Sequence, residues 1–136
     1  MKTAIITISG EGKNIADQLL RALSADSISR HAVAICWHDY DAFIFIGAMG
    51  ICVRTIAPLV DDKHTDPAVV CIDSFGRNVI SVLSGHVGGA NDLTQRVADI
   101  LGAHPVITTR ATTPDCGSWT RSAGRTTGML WSVVVT

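Results

Sequence analysis

The chain lacks every feature that would assign its class at a glance. It has no excess of either charge: 11 Lys and Arg stand against 12 Asp and Glu, a net charge of −1 with His neutral. No basic surface therefore advertises nucleic acid or an anionic membrane. No apolar run approaches the length of a membrane span, and the N-terminus opens on a strand-like run without a signal-peptide pattern. The four cysteines, Cys36, Cys52, Cys71 and Cys116, have no paired metal-ligand spacing. Three of them sit in apolar runs, where a free thiol packs as a small hydrophobe. A reducing cytoplasm suits such thiols. There is no internal repeat and no G-x-G-x-x-G fingerprint, which speaks against a dinucleotide-binding module.

What is present is a chain of 136 residues, 47% hydrophobic and 17% charged, long enough for one globular domain with a real core. Thr3–Ile8 is rich in β-branched residues and reads as a buried strand. Ser9-Gly10-Glu11-Gly12 is a turn, and Ile15, Leu19, Leu20 and Leu23 mark one face of a helix. Residues 24–41 are polar and irregular apart from Ala32–Cys36. Ala42–Ile46 is apolar nearly throughout, as a central parallel strand covered on both faces would be. Gly47-Ala48-Met49-Gly50 leads into a helix over Ile51–Ala57. Ala68–Ile72 is a strand, Ser74–Arg77 a hairpin turn, and Asn78–Val82 the next strand. A helix with Leu93, Val97, Ile100 and Leu101 on one face ends at Gly102, a good C′ residue, and His104–Thr109 returns as a strand. The alternation predicts an α/β fold: a mostly parallel sheet with helices on both faces, in Rossmann-like layers.

The stretch from Ser84 to Asp92 carries the clearest chemistry. Gly85, Gly88 and Gly89 leave backbone N–H groups unobstructed. A helix starting at Ala90 or Asn91 adds its own free N–H groups, a combination that suits phosphate or carboxylate. His86 brings a group that changes protonation near neutral pH. A tight strand-to-helix turn with a capping Asn91 accounts for the same residues. Gly47 and Gly50 open another helix in a similar way. Arg54 behind them either snorkels from a packed face or clamps a carboxylate. Right-handed crossovers would set the post-strand loops along one sheet edge. The expected ligand edge therefore unites Gly47–Gly50 with Ser84–Asn91. Asp61, Asp62, His64 and Asp66 match no metal-ligand pattern and read as a solvated loop. Asp73 and Arg77 flank the hairpin turn and pair across it. No serine, cysteine or carboxylate is placed by spacing to complete a nucleophilic constellation with His86.

Four motifs go further than spacing. They are Gly47–Ile51 with Val53-Arg54 and Ile56-Ala57-Pro58; Lys63 with Thr65–Val70; Leu83–His86 with Gly88–Asn91; and Pro105–Thr109. Together, from Tyr40 to Thr112, they resemble the N-terminal part of the CbiG family, the cobalt-precorrin-5A hydrolases of anaerobic cobalamin biosynthesis. The resemblance implies opening of the δ-lactone of a cobalt-bound, ring-contracted tetrapyrrole and release of a two-carbon fragment as acetaldehyde. It implies no resident cofactor and no metal site, since cobalt comes with the substrate. The implied partner is that corrinoid, a ring bearing many acetate and propionate groups, with neither nucleic acid nor membrane. No catalytic assignment is carried over by the resemblance. From chemistry, His86 is assigned to move a proton or position water. Arg54 is assigned to hold a carboxylate, and Gly47, Gly50, Ser84, Gly85, Gly88, Gly89 and Asn91 to line the ligand.

Residues 1–112 form the family-like domain, and residues 113–136 depart from it. After Ala111-Thr112 the family continues with Asp, a glycine-containing turn and a helix bearing Asp-Glu, whereas this chain reads TPDCGSWTRSAGRTTGMLWSVVVT. The family's C-terminal domain is missing from the sequence. The alternative to an active enzyme is therefore a truncated, inactive fragment that at most binds an anionic corrinoid, and no acetaldehyde release is expected of the isolated chain. The tail also reads as a frameshift. Trp119 is encoded by TGG and every Thr codon begins AC, so the frame that starts on the last base of Trp119 reads GAC, an Asp. Carried along from residue 112, that frame permits D-S-G-L-W-V-L-D-E-I-G-R-T-N-D-W-N-V-V-V: a turn, an amphipathic helix and a strand. Loss of one base in codon 112 is the expected cause, and sequencing of the locus checks it. Stop codons in that frame, or no continuation into family sequence, would exclude it.

Overall fold

Six strands, Thr3–Thr7 (β1), Asp26–Ser27 (β2), Ala42–Ile46 (β3), Ala68–Ile72 (β4), Asn78–Leu83 (β5) and His104–Val106 (β6), build one sheet in the order β2-β1-β3-β4-β5-β6. The helices are Lys13–Leu23 (α1), Val33–Cys36 (α2), Met49–Ile56 (α3) and Ala90–Leu101 (α4). A turn of 3₁₀ helix, Gly10–Gly12, leads into α1, and another, Arg30–Ala32, into α2. This computed structural model describes residues 1–109; the tail over 113–136, with Cys116 and the frameshift reading, lies outside the described residues.

All neighbouring strands run parallel except β4 and β5, which form the antiparallel hairpin. The α/β reading holds. β3 lies between β1 and β4 and all five of its residues are buried. Its alternating side chains feed two cores. Ile44 and Ile46, with Ile5, Val70, Ile72 and Val79, pack under Ala16 and Leu19 of α1 and Leu93, Val97 and Ala98 of α4. Phe43 and Phe45, with Ala4, Ile6, Val69 and Cys71, pack under Val33, Trp37, Cys52 and Ile56 on the α2–α3 side. A register shift between Val69 and Val70 leaves one extra residue on β5, a bulge near the Ser84 end of the strand.

Two local readings change. The irregular region holds a strand, the exposed pair Asp26–Ser27, which has no apolar pattern to signal it, while the unassigned run Ala32–Cys36 is helical. β6 stops at Val106, short of Thr109. No helix among the described residues is long and apolar enough to cross a membrane.

Candidate functional site

The register separates the two glycine loops. Ile46 pairs with Ile72 at the end where β3 and β4 both finish, so Gly47–Gly50 emerges there. β5 runs back along β4 and brings Leu83 opposite Val69, near the start of β4. Ser84–Asn91 therefore emerges at the opposite end, about 17 Å away for a five-residue strand. The shared edge is corrected: Gly47, Gly50 and Arg54 cannot line one small site with Ser84, Gly85, His86, Gly88, Gly89 and Asn91. The physical reason is the hairpin, which reverses the chain once and turns the next post-strand loop to the other rim.

At the first end, the neighbour of Gly47–Gly50 is the loop after β1. β1 and β3 are parallel and adjacent, with Thr7 opposite Ile46. The chain leaves β1 for β2 on one side and returns to β3 on the other, which makes this crevice the topological switch point of the sheet. Ser9–Gly12 and Gly47–Gly50 form its walls. The Gly12 backbone packs directly on the Ile46 side chain: a Cβ on Gly12 would lie 2.5 Å from Ile46 Cγ2. The Ser9 hydroxyl oxygen is buried and has no partner among the described residues. Gly47 N–H donates to Ile72 O, and the Cys71 thiol donates to Gly47 O at 3.6 Å. Cys52 and Cys71 are both buried beneath this loop. The hydrogen bond with Cys71, then burial, pushes the Cys52 thiol above its ordinary range, so it packs as a neutral group. Arg54 is exposed and folds back over the start of α3, its Nη1 3.4 Å from where a Gly50 Cβ would stand. That placement leaves the guanidinium available to a carboxylate. In the sequence Gly10 and Gly12 mark only a turn; parallel pairing of β1 with β3 is what gives them weight.

At the second end, the glycines of Ser84–Asn91 are explained by the loop's own packing. A Cβ on Gly88 would lie 2.5 Å from Ser84 Cβ and 2.9 Å from Ser84 O, and one on Gly85 2.8 Å from Asn91 Oδ1. The helix does start at Ala90, but Asn91 does not cap it; Gly89, at φ 83°, is the N-cap and makes no side-chain bond. Asn91 instead ties elements together. Its Oδ1 accepts from Ser81 Oγ at 2.8 Å and its Nδ2 donates to Thr109 Oγ1 at 2.5 Å. Ser84 Oγ donates to Asp66 O. His86 and Val87 are left exposed at the tip.

Val87 and Gly88 form one wall of a cleft of about 370 Å³ with Trp37, His38, Tyr40, Asp41 and Asp66. Its acids are largely engaged. Asp66 is 5% exposed and accepts the Asp61 N–H, so the charged loop is anchored on a buried carboxylate rather than wholly solvated. Asp41 accepts the Lys2 N–H. Tyr40 donates its hydroxyl to Asp26, and that bond, first among the causes, raises the phenol above its ordinary pKa.

A family model described as cobalamin synthesis G N-terminal matches residues 31–112, a span that includes both glycine loops. The chain is 67% identical over 70 residues to a cobalt-precorrin-5A hydrolase of Salmonella typhimurium, covering 52% of this chain and 20% of that protein. It is 62% identical over 73 residues to the cobalt-precorrin-5A hydrolase of Priestia megaterium, covering 54% and 20%. Among solved structures, "a putative cobalamin biosynthesis protein G homolog" from Sulfolobus solfataricus superposes with a TM-score of 0.69 at 29% identity, over 82% of this chain and 38% of that one. The matched part thus spans about a fifth of the length of the two hydrolases.

Proposed function

The chain belongs to the cobalamin synthesis G N-terminal family, and we propose that it serves as the N-terminal portion of a cytoplasmic cobalt-precorrin-5A hydrolase, the enzyme that opens the δ-lactone and releases acetaldehyde. The observation that carries this reading is the high identity to two hydrolases of that name, over 70 and 73 residues. Within the domain, the work assigned to these residues is to hold a carboxylate of the corrinoid at the β1–β3 crevice. The Gly12 and Gly47 N–H groups are bonded within the protein, so the donors are the other backbone N–H groups of the two loops, at Gly10, Glu11, Met49 and Gly50, and the Arg54 guanidinium. Cobalt enters with the substrate. His86 stands at the other rim, so any proton it moves belongs to a different part of the ligand from the group Arg54 holds.

The test is a titration of the purified chain with dicyanocobyrinic acid, a cobalt corrinoid with free carboxylates, followed by absorbance. Saturable binding is expected, weakened about tenfold in Arg54→Ala, as loss of one charge-assisted hydrogen bond predicts. His86→Ala is expected to bind as the wild type. Absence of binding, or loss on His86→Ala with none on Arg54→Ala, overturns the assignment of the crevice.

A further inference from the structure

The tip of the β4–β5 hairpin is built with more care than a loose turn needs. The Asp73 carboxylate accepts three backbone N–H groups, those of Phe75 at 3.2 Å, Arg77 at 2.9 Å and Asn78 at 2.6 Å. It does not pair with the Arg77 guanidinium as the sequence suggested; it organises the turn from inside. Gly76, at φ 68°, donates its N–H to Asp73 O, and its backbone sits against Ile15 of α1. The result is a fixed tip that holds out two side chains. Phe75 is 70% exposed, and the Arg77 guanidinium carbon lies 5.5 Å from the Phe75 ring centroid. Arg77 attends one face of the ring and leaves the other open.

The position of the tip gives the pair meaning. β4 ends beside β3, and Gly47 N–H bonds to Ile72, the residue before Asp73. Phe75 and Arg77 therefore stand on the rim of the crevice between Ser9–Gly12 and Gly47–Gly50. The elements that flank it carry the exposed cations Lys13, Arg54 and Arg77, with Arg30 and His31 lining a cleft beside Arg54; their acids are Glu11 and Asp73, and Asp73 is engaged with the turn.

We propose that Phe75 and Arg77 are a recognition platform for a flat, carboxylate-bearing ring compound. The open face of Phe75 takes the ring, and Arg77, on the opposite face, takes a peripheral carboxylate arm that reaches round the edge of the Phe75 ring. Aromatic contact alone would admit any apolar plate, and a guanidinium alone any anion; the pair selects a ligand that is both. The proposal rests on the reading that the ligand lies at this rim.

The experiment titrates the full chain and its Phe75→Ala, Phe75→Tyr and Arg77→Gln variants with dicyanocobyrinic acid and with its heptamethyl ester. Phe75→Ala is expected to weaken both ligands about tenfold, and Phe75→Tyr to restore wild-type binding. Arg77→Gln is expected to weaken the acid about tenfold and leave the ester unchanged, since only the acid offers it a charge. Acid and ester weakened equally by Arg77→Gln overturns the carboxylate role. Wild-type binding in both Phe75→Ala and Arg77→Gln, with Arg54→Ala still impaired, overturns the platform and leaves the crevice standing. A wild-type chain that binds neither ligand overturns both.

Discussion

Gly47→Ala is expected to destabilise the fold by about 2–5 kcal/mol, the sum of backbone strain and overpacking. Gly47 has φ 149°, where L residues are rarely found, and a Cβ there would lie 2.7 Å from Ile8 Cβ and 3.0 Å from Ile8 Cδ1. Neither neighbour can move away easily. Ile8 N–H is bonded to Ile46 O, Gly47 N–H to Ile72 O, and Gly47 O accepts the Cys71 thiol. The measurement is urea unfolding, with a lower midpoint and unchanged slope. Gly10 is the control on the facing loop: nothing stands within 4 Å of its Cβ position, so Gly10→Ala is expected to stay within about 0.5 kcal/mol of wild type. Equal stability of the two variants would show that β1 and β3 do not close on each other as described.

Phe43→Ala removes the middle of an aromatic layer, at an expected cost of about 3–5 kcal/mol and a fall in Tm of roughly 10–20 °C for a chain of this size. Phe43 is fully buried on the central strand. Its ring stacks on Trp37 at 5.3 Å and 17°, and meets Tyr40 edge-on at 5.6 Å and 62°. These contacts are what seat the short α2 and the turn after it on the sheet. Trp37 Nε1 is buried without a partner among the described residues, so water entering the new cavity finds a donor waiting, which favours the lower half of the range. A loss below about 1 kcal/mol in thermal unfolding would mean that the layer is not what holds this face.

The elements with an unbroken apolar pattern were legible. β1, β3 and β4 are buried parallel strands, and their β-branched, nearly charge-free sequences have no other use. α1 and α4 announce themselves by period, and Gly102 ends α4 in the left-handed conformation expected of it. β2 was invisible because two exposed polar residues carry no signal beyond their hydrogen bonds. The error at the site had a different origin. The hairpin at Ser74–Arg77 was readable, yet its consequence for direction was not carried into the placement of Ser84–Asn91. Local motifs made that loop look like an anion cradle. In space its glycines are there because Ser84 and Asn91 occupy the room a side chain would need. Phe75 carried no sequence signal at all, since an aromatic in a turn is unremarkable until the neighbours of the turn are known.

The reversal at the hairpin also sets the electrostatics of the two ends. Each helix of useful length carries about half a positive charge at its N-terminus and half a negative charge at its C-terminus. In a wholly parallel sheet these macrodipoles would align and make one end strongly positive. Here α1 and α3 start at the crevice, while α4 starts beside Gly89 and finishes at Gly102, next to the hairpin end where His104 pairs with Asn78. The negative end of α4 therefore offsets one of the two positive ends, leaving about half a charge at the crevice. So weak a background field attracts anions without choosing among them; at this end of the sheet directionality, which a diffuse field lacks, belongs to side chains such as the exposed Arg54 and Arg77 guanidinium groups.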